Sequence, residues 1–447
     1  MDKQNLLDGV KTIHFIGIGG SGMCPLAEIL FNEGYKITGS DMAESDTLER
    51  IRSYGIPVTM GHYPENVEGA DLIVYTAAVK LDNPELVAAK HLGIPAVERC
   101  IMLGEVTRKY NRSIAVSGTH GKTTTSTMIS HVLGETKGCN YFIGDGSGFA
   151  DRKNELFTLE SCEFNRHFLA YHPYYAIVTN IELEHTECYK DIDEIIKTFE
   201  EFANKAHYVI ACGDDKNVRK MNLKNNVTYY GFDDCNDVVC KNVTLDENGS
   251  KFDVYIKGEL YGHFDIPLFG NHMILNALAC ITVCNMEGVD TEKIHSLLHT
   301  FKNAKRRFKE KKFGSVVTID DYAHHPTEIR VTIESARQKY PNKEIVAVFL
   351  PNTYSRTKAL MSDFISALKT ADKAYVMDIH CDRERKEDYP GVSSDEIIKN
   401  VPNAEKISLD TVDKLLKHKN AAICFMSCTN IYELLDKYEA LLLNKND

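Results

Sequence analysis

Three times along this chain a short apolar run enters a turn and then a helix-length segment, and that repetition narrows the possible folds more than any other feature. The first run, 12–16, meets Gly17-Ile18-Gly19-Gly20-Ser21-Gly22. The second, 113–116, meets Ser117-Gly118-Thr119-His120-Gly121-Lys122-Thr123-Thr124, and the third, 316–319, ends on Asp320-Asp321. Further apolar runs at 345–350, 374–377 and 421–426 follow the third start. Short apolar strands separated by helices are what a parallel sheet demands, because parallel neighbours need a long, usually helical, crossover. The expected class is α/β, with strands and helices alternating from end to end. A chain of 447 residues exceeds one hydrophobic core, so three starts imply three domains, expected at 1–107, 108–309 and 310–447.

Charge and cysteine usage narrow the setting. The 64 acidic against 52 basic residues, a net charge of −12, argue against a nucleic-acid or anionic-membrane partner. No run approaches the ~20 apolar residues of a membrane span. The N-terminus has no basic stretch leading into an apolar one, as a secretory leader would. Thirteen cysteines with no CxxC pair therefore read as reduced, buried thiols of a cytoplasmic protein rather than as metal ligands. Cys280 and Cys284 are expected to be neighbours on one helix.

The second turn carries the sharpest chemistry. Glycines let the backbone curl so that its N–H groups face phosphate oxygens, and the following helix, expected to reach about Leu133, adds a favourable field. Gly118, Thr119, His120, Gly121 and Thr124 would form the cradle, Lys122 would reach the β- and γ-phosphates, and the Thr123 hydroxyl would ligate Mg²⁺. The strict pattern GxxxxGK[ST] is not met, because Val116 stands at its first glycine. A bare glycine turn before a surface helix is the structural alternative.

The first turn fits GxGxxG, with Asp41 19 residues beyond Gly22 after a β-like stretch at 36–39. Read alone it suggests NAD, with Asp41 on a ribose hydroxyl. The same cradle holds any nucleotide diphosphate, and a purely structural turn also satisfies the pattern.

Other polar clusters sit at expected strand ends, which in parallel sheets face the ligand crevice. Glu160-Ser161-Cys162-Glu163 closes 156–159, and Asn180-Ile181-Glu182-Leu183-Glu184-His185 closes 175–179. A carboxylate and an imidazole there suit a second Mg²⁺ site or a phosphoryl clamp. Gly270-Asn271-His272 opens a helix through Asn276, whose amide could read adenine. Lys305-Arg306-Arg307-Phe308 forms a basic cluster. Asp320-Asp321-Tyr322-Ala323-His324-His325-Pro326 is too polar for a core, and Arg356, after 351–355, suits a carboxylate.

Taken in order, GIGGSGM, GTHGKTTT, LESCEFNRHFL, NIELEH, GNH with ILNALA, AKRRF, DDYAHHPTEI and LPNTYSRT resemble the Mur ligase family over essentially the whole chain. The resemblance implies a Rossmann-like N-terminal domain for a UDP-sugar, a central P-loop ATPase domain, and a Rossmann-like C-terminal domain closing over an amino acid. It implies that Gly19, Ser21, Gly22, Asp41 and Thr76 serve the UDP moiety. Lys122 would hold phosphates, with Thr123, Glu163 and His185 on Mg²⁺. His272, Asn276, Arg306 and Asp321 would contact ATP, and His324, His325 and Arg356 would face the amine and the sugar-borne acid.

Four positions depart from the family pattern. Ser427-Cys428-Thr429-Asn430 replaces Gly-Ala-Gly-Asp, Glu184 an Asp, Asn352 a His, and Met273 an Asn. The implied activity is ATP-dependent joining of L-alanine to the carboxylate of UDP-N-acetylmuramate through an acyl phosphate, in cell-wall precursor synthesis. A ligase adding a tripeptide to the same sugar, an NAD-dependent oxidoreductase, and a non-catalytic nucleotide-binding paralogue are the alternatives.

Overall fold

The computed structural model describes residues 6–304, 306–381 and 384–444, so Lys305 of the basic cluster lies outside the described residues. Three separate sheets form, of five, ten and six strands. The apolar run Thr12–Ile16 sits at the centre of the first, between the parallel strands Lys36–Asp41 and Leu72–Tyr75. Along this sheet the order in the chain is third, second, first, fourth, fifth. The direction of winding reverses beside Thr12–Ile16, and a crevice opens beyond that strand's carboxyl end, where the first glycine turn lies.

In the second sheet, Arg112–Ser117 runs parallel between Tyr175–Val178 and Leu156–Glu160. The helix Lys122–Lys137 follows the phosphate loop and extends one turn past the expected end. All three strands therefore point their carboxyl ends at the loop, bringing 160–163 and 180–185 towards it. In the third sheet, Val316–Asp321 lies parallel to Ala421–Met426, which in turn lies parallel to Glu344–Phe349. Every residue of Val316–Asp321 and Ala421–Met426 is buried, as expected of strands covered on both faces.

The expectation of strands alternating with helices from end to end fails after Asn226–Gly231. Val238–Asp246, Gly249–Ile256 and Glu259–Ile266 form an antiparallel meander instead. Its cause is local. Lys257 and Gly258 form a two-residue turn, both with positive φ (51° and 85°), the geometry that matches strand twist in a tight hairpin. Phe252, Val254, Phe264 and Ile266 are buried at a spacing of two, so these strands cover one face of the core. Lys309–Phe313 is likewise antiparallel, as an edge strand of the third sheet.

The first and second sheets are held together by the helix Arg99–Lys109 packing on the segment Phe164–Ala170. Gly104 makes that approach possible, since a Cβ there would lie 2.4 Å from the Ala170 carbonyl oxygen. Backbone cannot swing aside as a side-chain tip can. Gly104→Ala is expected to cost about 1–3 kcal/mol by overpacking. A thermal denaturation midpoint equal to wild type would refute this close packing.

Candidate active site

The phosphate loop is shaped by two glycines in backbone conformations closed to other residues. Gly118 has φ +142°, and a Cβ there would fall 1.9 Å from Thr179 Oγ1. Gly121 has φ +82° and its Cβ would meet Asn276 Oδ1 at 2.6 Å. The loop's far side is pinned by the Thr119 N–H donating to Asn180 O (3.0 Å) and the His120 N–H to Asn180 Oδ1 (2.8 Å). Gly121 caps the helix Lys122–Lys137 without a side-chain acceptor. The first amides of the helix thus face the site with no intrahelical partner, as an anion requires.

Lys122 folds back over this loop. Its Nζ donates to Gly118 O at 2.5 Å, Thr119 O at 3.0 Å and Glu163 Oε2 at 3.0 Å. Burial opposes the ammonium, but the Glu163 carboxylate prevails and raises its pKa. Glu163 is only 2 % exposed, and its carbonyl accepts from Tyr189 Oη at 2.5 Å. His185 approaches the same carboxylate, Nε2 lying 3.9 Å from Oε1. Burial works against its charge, yet Cys162 and Glu187 lift its pKa to about 10. Two cationic side chains therefore converge on one buried carboxylate, next to the buried Thr123. A hydroxyl and a carboxylate oxygen are donors that Mg²⁺ prefers, and its charge could replace that of the converging cations. Thr123 and Glu163 offer suitable oxygens for such an ion, whereas His185 would first have to give up its proton.

Beside the loop, a cavity of about 290 Å³ opens between the second and third sheets. His120, Gly121, Thr124, His272, Asn276 and Asp321 all line it. Burial, with Arg307 nearby, pulls His272 down to about 4. Burial also lifts Asp321 to about 6, although Arg307 and two backbone N–H groups oppose it. Arg306 is placed differently. Its guanidinium donates to Ser427 O at 2.9 Å and sits between the rings of Tyr322 and Tyr432, while Arg307 lines the cavity. Met273, where the family pattern has Asn, also forms part of the wall.

The third sheet reaches the loop through charged pairs. His120 Nδ1 lies 3.3 Å from Glu328 Oε1 and its Nε2 3.5 Å from Glu182 Oε2, while Thr327 Oγ1 donates to Glu182 at 2.7 Å. Arg356 donates through Nε (2.8 Å) and Nη2 (2.6 Å) to Glu184 Oε1. The carboxylate that Arg356 holds here belongs to Glu184, whose extra methylene relative to Asp extends its reach. Burial disfavours both carboxylates, yet His120 for Glu182 and Arg356 for Glu184 hold each at about 2. His325 caps the helix Pro326–Lys339 and packs on His120, ring centroids 4.6 Å apart; burial and the His120 charge lower it to about 4. His324 Nδ1 lies 3.0 Å from Tyr322 O and 3.1 Å from Glu328 Oε2.

Gly19, Ser21, Gly22, Asp41 and Thr76 form a second group at the carboxyl edge of the first sheet. Asp41 accepts from the Gly19 N–H at 2.8 Å and the Met42 N–H at 2.7 Å. The Arg99 guanidinium lies over Gly22, 2.8 Å from where a Cβ would be, and the Thr76 methyl is similarly close to Gly17. The loop 427–430 contains no left-handed residue, so its missing glycines are not required by φ. Ser427 Oγ donates to Leu350 O (3.0 Å) and accepts from the Thr429 N–H (3.1 Å), fixing the turn by hydroxyl bonding.

The sequence assigns no site role to Glu328 or the Asp214–Asp215 pair and names Arg307 only within the basic cluster, yet all four line the cavity wall. Asp214 and Asp215 follow the strand Tyr208–Cys212, so the strand-end rule that found 180–185 would have found them. Glu328 stands three residues after the cap His325, the spacing of a capping box.

Comparison with known proteins places the whole chain in one family. Residues 12–111 match the Mur ligase family catalytic domain, 116–284 the Mur ligase middle domain, and 306–424 the Mur ligase glutamate ligase domain. A UDP-N-acetylmuramate–L-alanine ligase of Lactobacillus gasseri is 43 % identical over 98 % of this chain and 100 % of its own length. The crystal structure of the UDP-N-acetylmuramate–alanine ligase of Thermotoga maritima superposes with a TM-score of 0.78 at 25 % identity, covering 97 % of this chain and 100 % of that one. A murein peptide ligase from Psychrobacter arcticus shares the fold with a TM-score of 0.67 at 20 % identity, covering 97 % and 99 %.

The ion pairs of His120, one of which crosses to Glu328 of the third sheet, set a pH window. His120, raised from 6.5 to about 9, contributes fully below 6.5 and is lost as pH rises through 9. Glu182, lowered from 4.5 to about 2, contributes fully above 4.5 and is lost as pH falls through 2. Small-angle scattering should show a more open particle near pH ~10 than near pH ~6, and His120→Gln should remove that alkaline change. Identical scattering curves at both values would contradict the pairing.

Proposed function

The chain belongs to the Mur ligase family, and we infer that it is an ATP-dependent ligase joining L-alanine to the carboxylate of UDP-N-acetylmuramate in peptidoglycan precursor synthesis. The observation that carries the chemistry is the convergence of Lys122 and His185 on Glu163 beneath an open helix N-terminus. The full-length likeness to an alanine ligase favours alanine over a tripeptide as the acceptor.

In this reading the loop amides and Lys122 hold the β- and γ-phosphates, and Lys122 leaves Glu163 as they arrive. Thr123 and Glu163, with His185 once it has lost its proton, would hold Mg²⁺, which would supply charge neutralisation at the transferring phosphoryl group. A muramate carboxylate oxygen attacks the γ-phosphorus, ADP departs, and an acyl phosphate results. The L-alanine amine then attacks the acyl carbon and the tetrahedral intermediate expels phosphate, leaving an amide. His324 is suited to take the amine proton. Its Nδ1 lies between two acceptors, Tyr322 O and Glu328, so Nδ1 carries hydrogen and Nε2 is left to accept.

Arg356 releases Glu184 to hold a substrate carboxylate, and His325 contributes to the same wall. His272, Asn276 and Asp321 line the nucleotide cavity, Arg306 braces the 427–430 loop beside it, and the Gly19–Gly22 turn with Asp41 and Thr76 takes the UDP moiety. Docking of the third sheet on the loop keeps water from the acyl phosphate, which it would hydrolyse. We place the reaction in the cytoplasm, where its nucleotide substrates are made. Among the described residues no helix is long and apolar enough to cross a membrane, and all thirteen cysteines are free thiols.

Lys122→Ala should lower phosphate release by at least about 10³-fold. Its affinity for UDP-N-acetylmuramate, measured calorimetrically, should remain near wild type. Near-normal ADP formation by that variant would defeat the assignment. Offering L-alanine and a tripeptide together and weighing the product by mass spectrometry should show alanine addition alone; a tripeptide adduct would transfer the chain to the recycling class.

A further inference from the structure

Glu98, Cys100 and His167 meet at the junction between the first and second sheets. Glu98 ends the strand Ala96–Glu98, Cys100 opens the helix Arg99–Lys109, and His167 lies in the segment Phe164–Ala170. One donor atom from each lies within 4.8 Å of the others, and Cys100 Sγ is 3.7 Å from Glu98 Oε2. All three line one cavity of about 560 Å³. Tetrahedral zinc bonds of ~2.3 Å to sulfur and ~2.1 Å to nitrogen or oxygen put ligand atoms about 3.4–3.6 Å apart. The Cys100–Glu98 pair is already near that spacing, and the donors as a set, within 4.8 Å, would close by about an ångström on an ion.

We propose that Glu98, Cys100 and His167 bind a borderline-soft divalent cation, Zn²⁺ in the first instance, with the fourth position open to the cavity. The donor set selects the metal. Thiolate and imidazole disfavour Mg²⁺ and Ca²⁺, and a three-ligand set with one open site is common for zinc. Binding exchanges the Cys100 S–H bond for an S–Zn bond and releases a proton. Burial and the Glu98 carboxylate hold that thiol above its ordinary range, so the exchange is favoured as pH rises. Burial and Arg99 hold His167 below its own, leaving a neutral imidazole ready to ligate. Two ligands come from the first sheet's connections and one from the second's, so the ion would pin the joint at which Gly104 meets Ala170. It would also fix Arg99, whose guanidinium overlies Gly22 of the first glycine turn.

The test uses the full chain, stripped with a chelator and titrated with Zn²⁺ against a chromogenic competitor, then with Co²⁺ as a spectroscopic probe. The expected result is one tight Zn²⁺ equivalent, a raised melting temperature, and a thiolate-to-cobalt charge-transfer band. Cys100→Ser should abolish the band and weaken Zn²⁺ at least about tenfold, while Cys235→Ser, at an exposed thiol, should change neither. His167→Asn, at a half-exposed position that does not threaten folding, should weaken Zn²⁺ similarly and keep a weaker band. A second cluster, His120, Glu182 and His325, also brings its donors within 4.8 Å but has no thiolate. Zinc binding without the charge-transfer band, a band surviving Cys100→Ser, or full affinity in His167→Asn would each overturn the assignment.

Discussion

A carboxylate carried almost wholly out of water must be matched by charge or be protonated, and Glu163 at 2 % exposure is matched. Lys122 and His185 supply the compensation, and much of the surrounding architecture exists to deliver them. Lys122 arrives on a helix that can begin only where Gly121 turns left-handed, and His185 itself sits at φ +53°. The strand Leu156–Glu160 brings Glu163 to that point, with Tyr189 tying its backbone. Glu187 also faces His185, so the resting charges are close to balance, and the open amides of the helix N-terminus are what favour a polyphosphate there.

The third sheet extends the same logic across a joint. Its contacts with the second sheet's loops include ionic and polar pairs: His120 with Glu328, Arg356 with Glu184, Thr327 with Glu182. Polar joints of this kind can part and re-form, whereas a large apolar interface would hold. Arg356 in particular is a group that the proposed ligase reaction would redeploy, so a resting contact occupies a side chain that a substrate would later claim. The departure at Ser427–Asn430 is compatible with this design. Hydroxyls replace glycine there, and Arg306 braces the loop from the other side.

The strand runs and both glycine turns were readable because each is a local pattern with a single geometric solution. Ala421–Met426 forms as read, residue for residue. The meander from Val238 to Ile266 departs from the expected alternation, and its local signal in the chain is the two-residue turn Lys257-Gly258. Among site residues, those lying directly in a strand-end motif could be named in advance. Glu328 and Arg307 could not be separated from their neighbours, because adjacent residues on a turn point in different directions and only the folded chain decides which one faces in. Arg306 shows the same effect from the other side. The Glu98–Cys100–His167 cluster was invisible for a further reason: its third member is brought from 67 residues away by the packing of two sheets, and cysteine spacing alone argued for inert thiols.

His325 begins the helix Pro326–Lys339 by accepting the Thr327 N–H at Nδ1, and the same ring stacks against His120 and faces Glu184. One imidazole therefore serves as a stop for secondary structure and as a surface of the reaction chamber. Drift at this position is doubly taxed: a replacement good for one duty forfeits the other. Changes in which acceptor the enzyme favours would have to arise around this ring rather than at it, a rule of inheritance written by a single hydrogen bond.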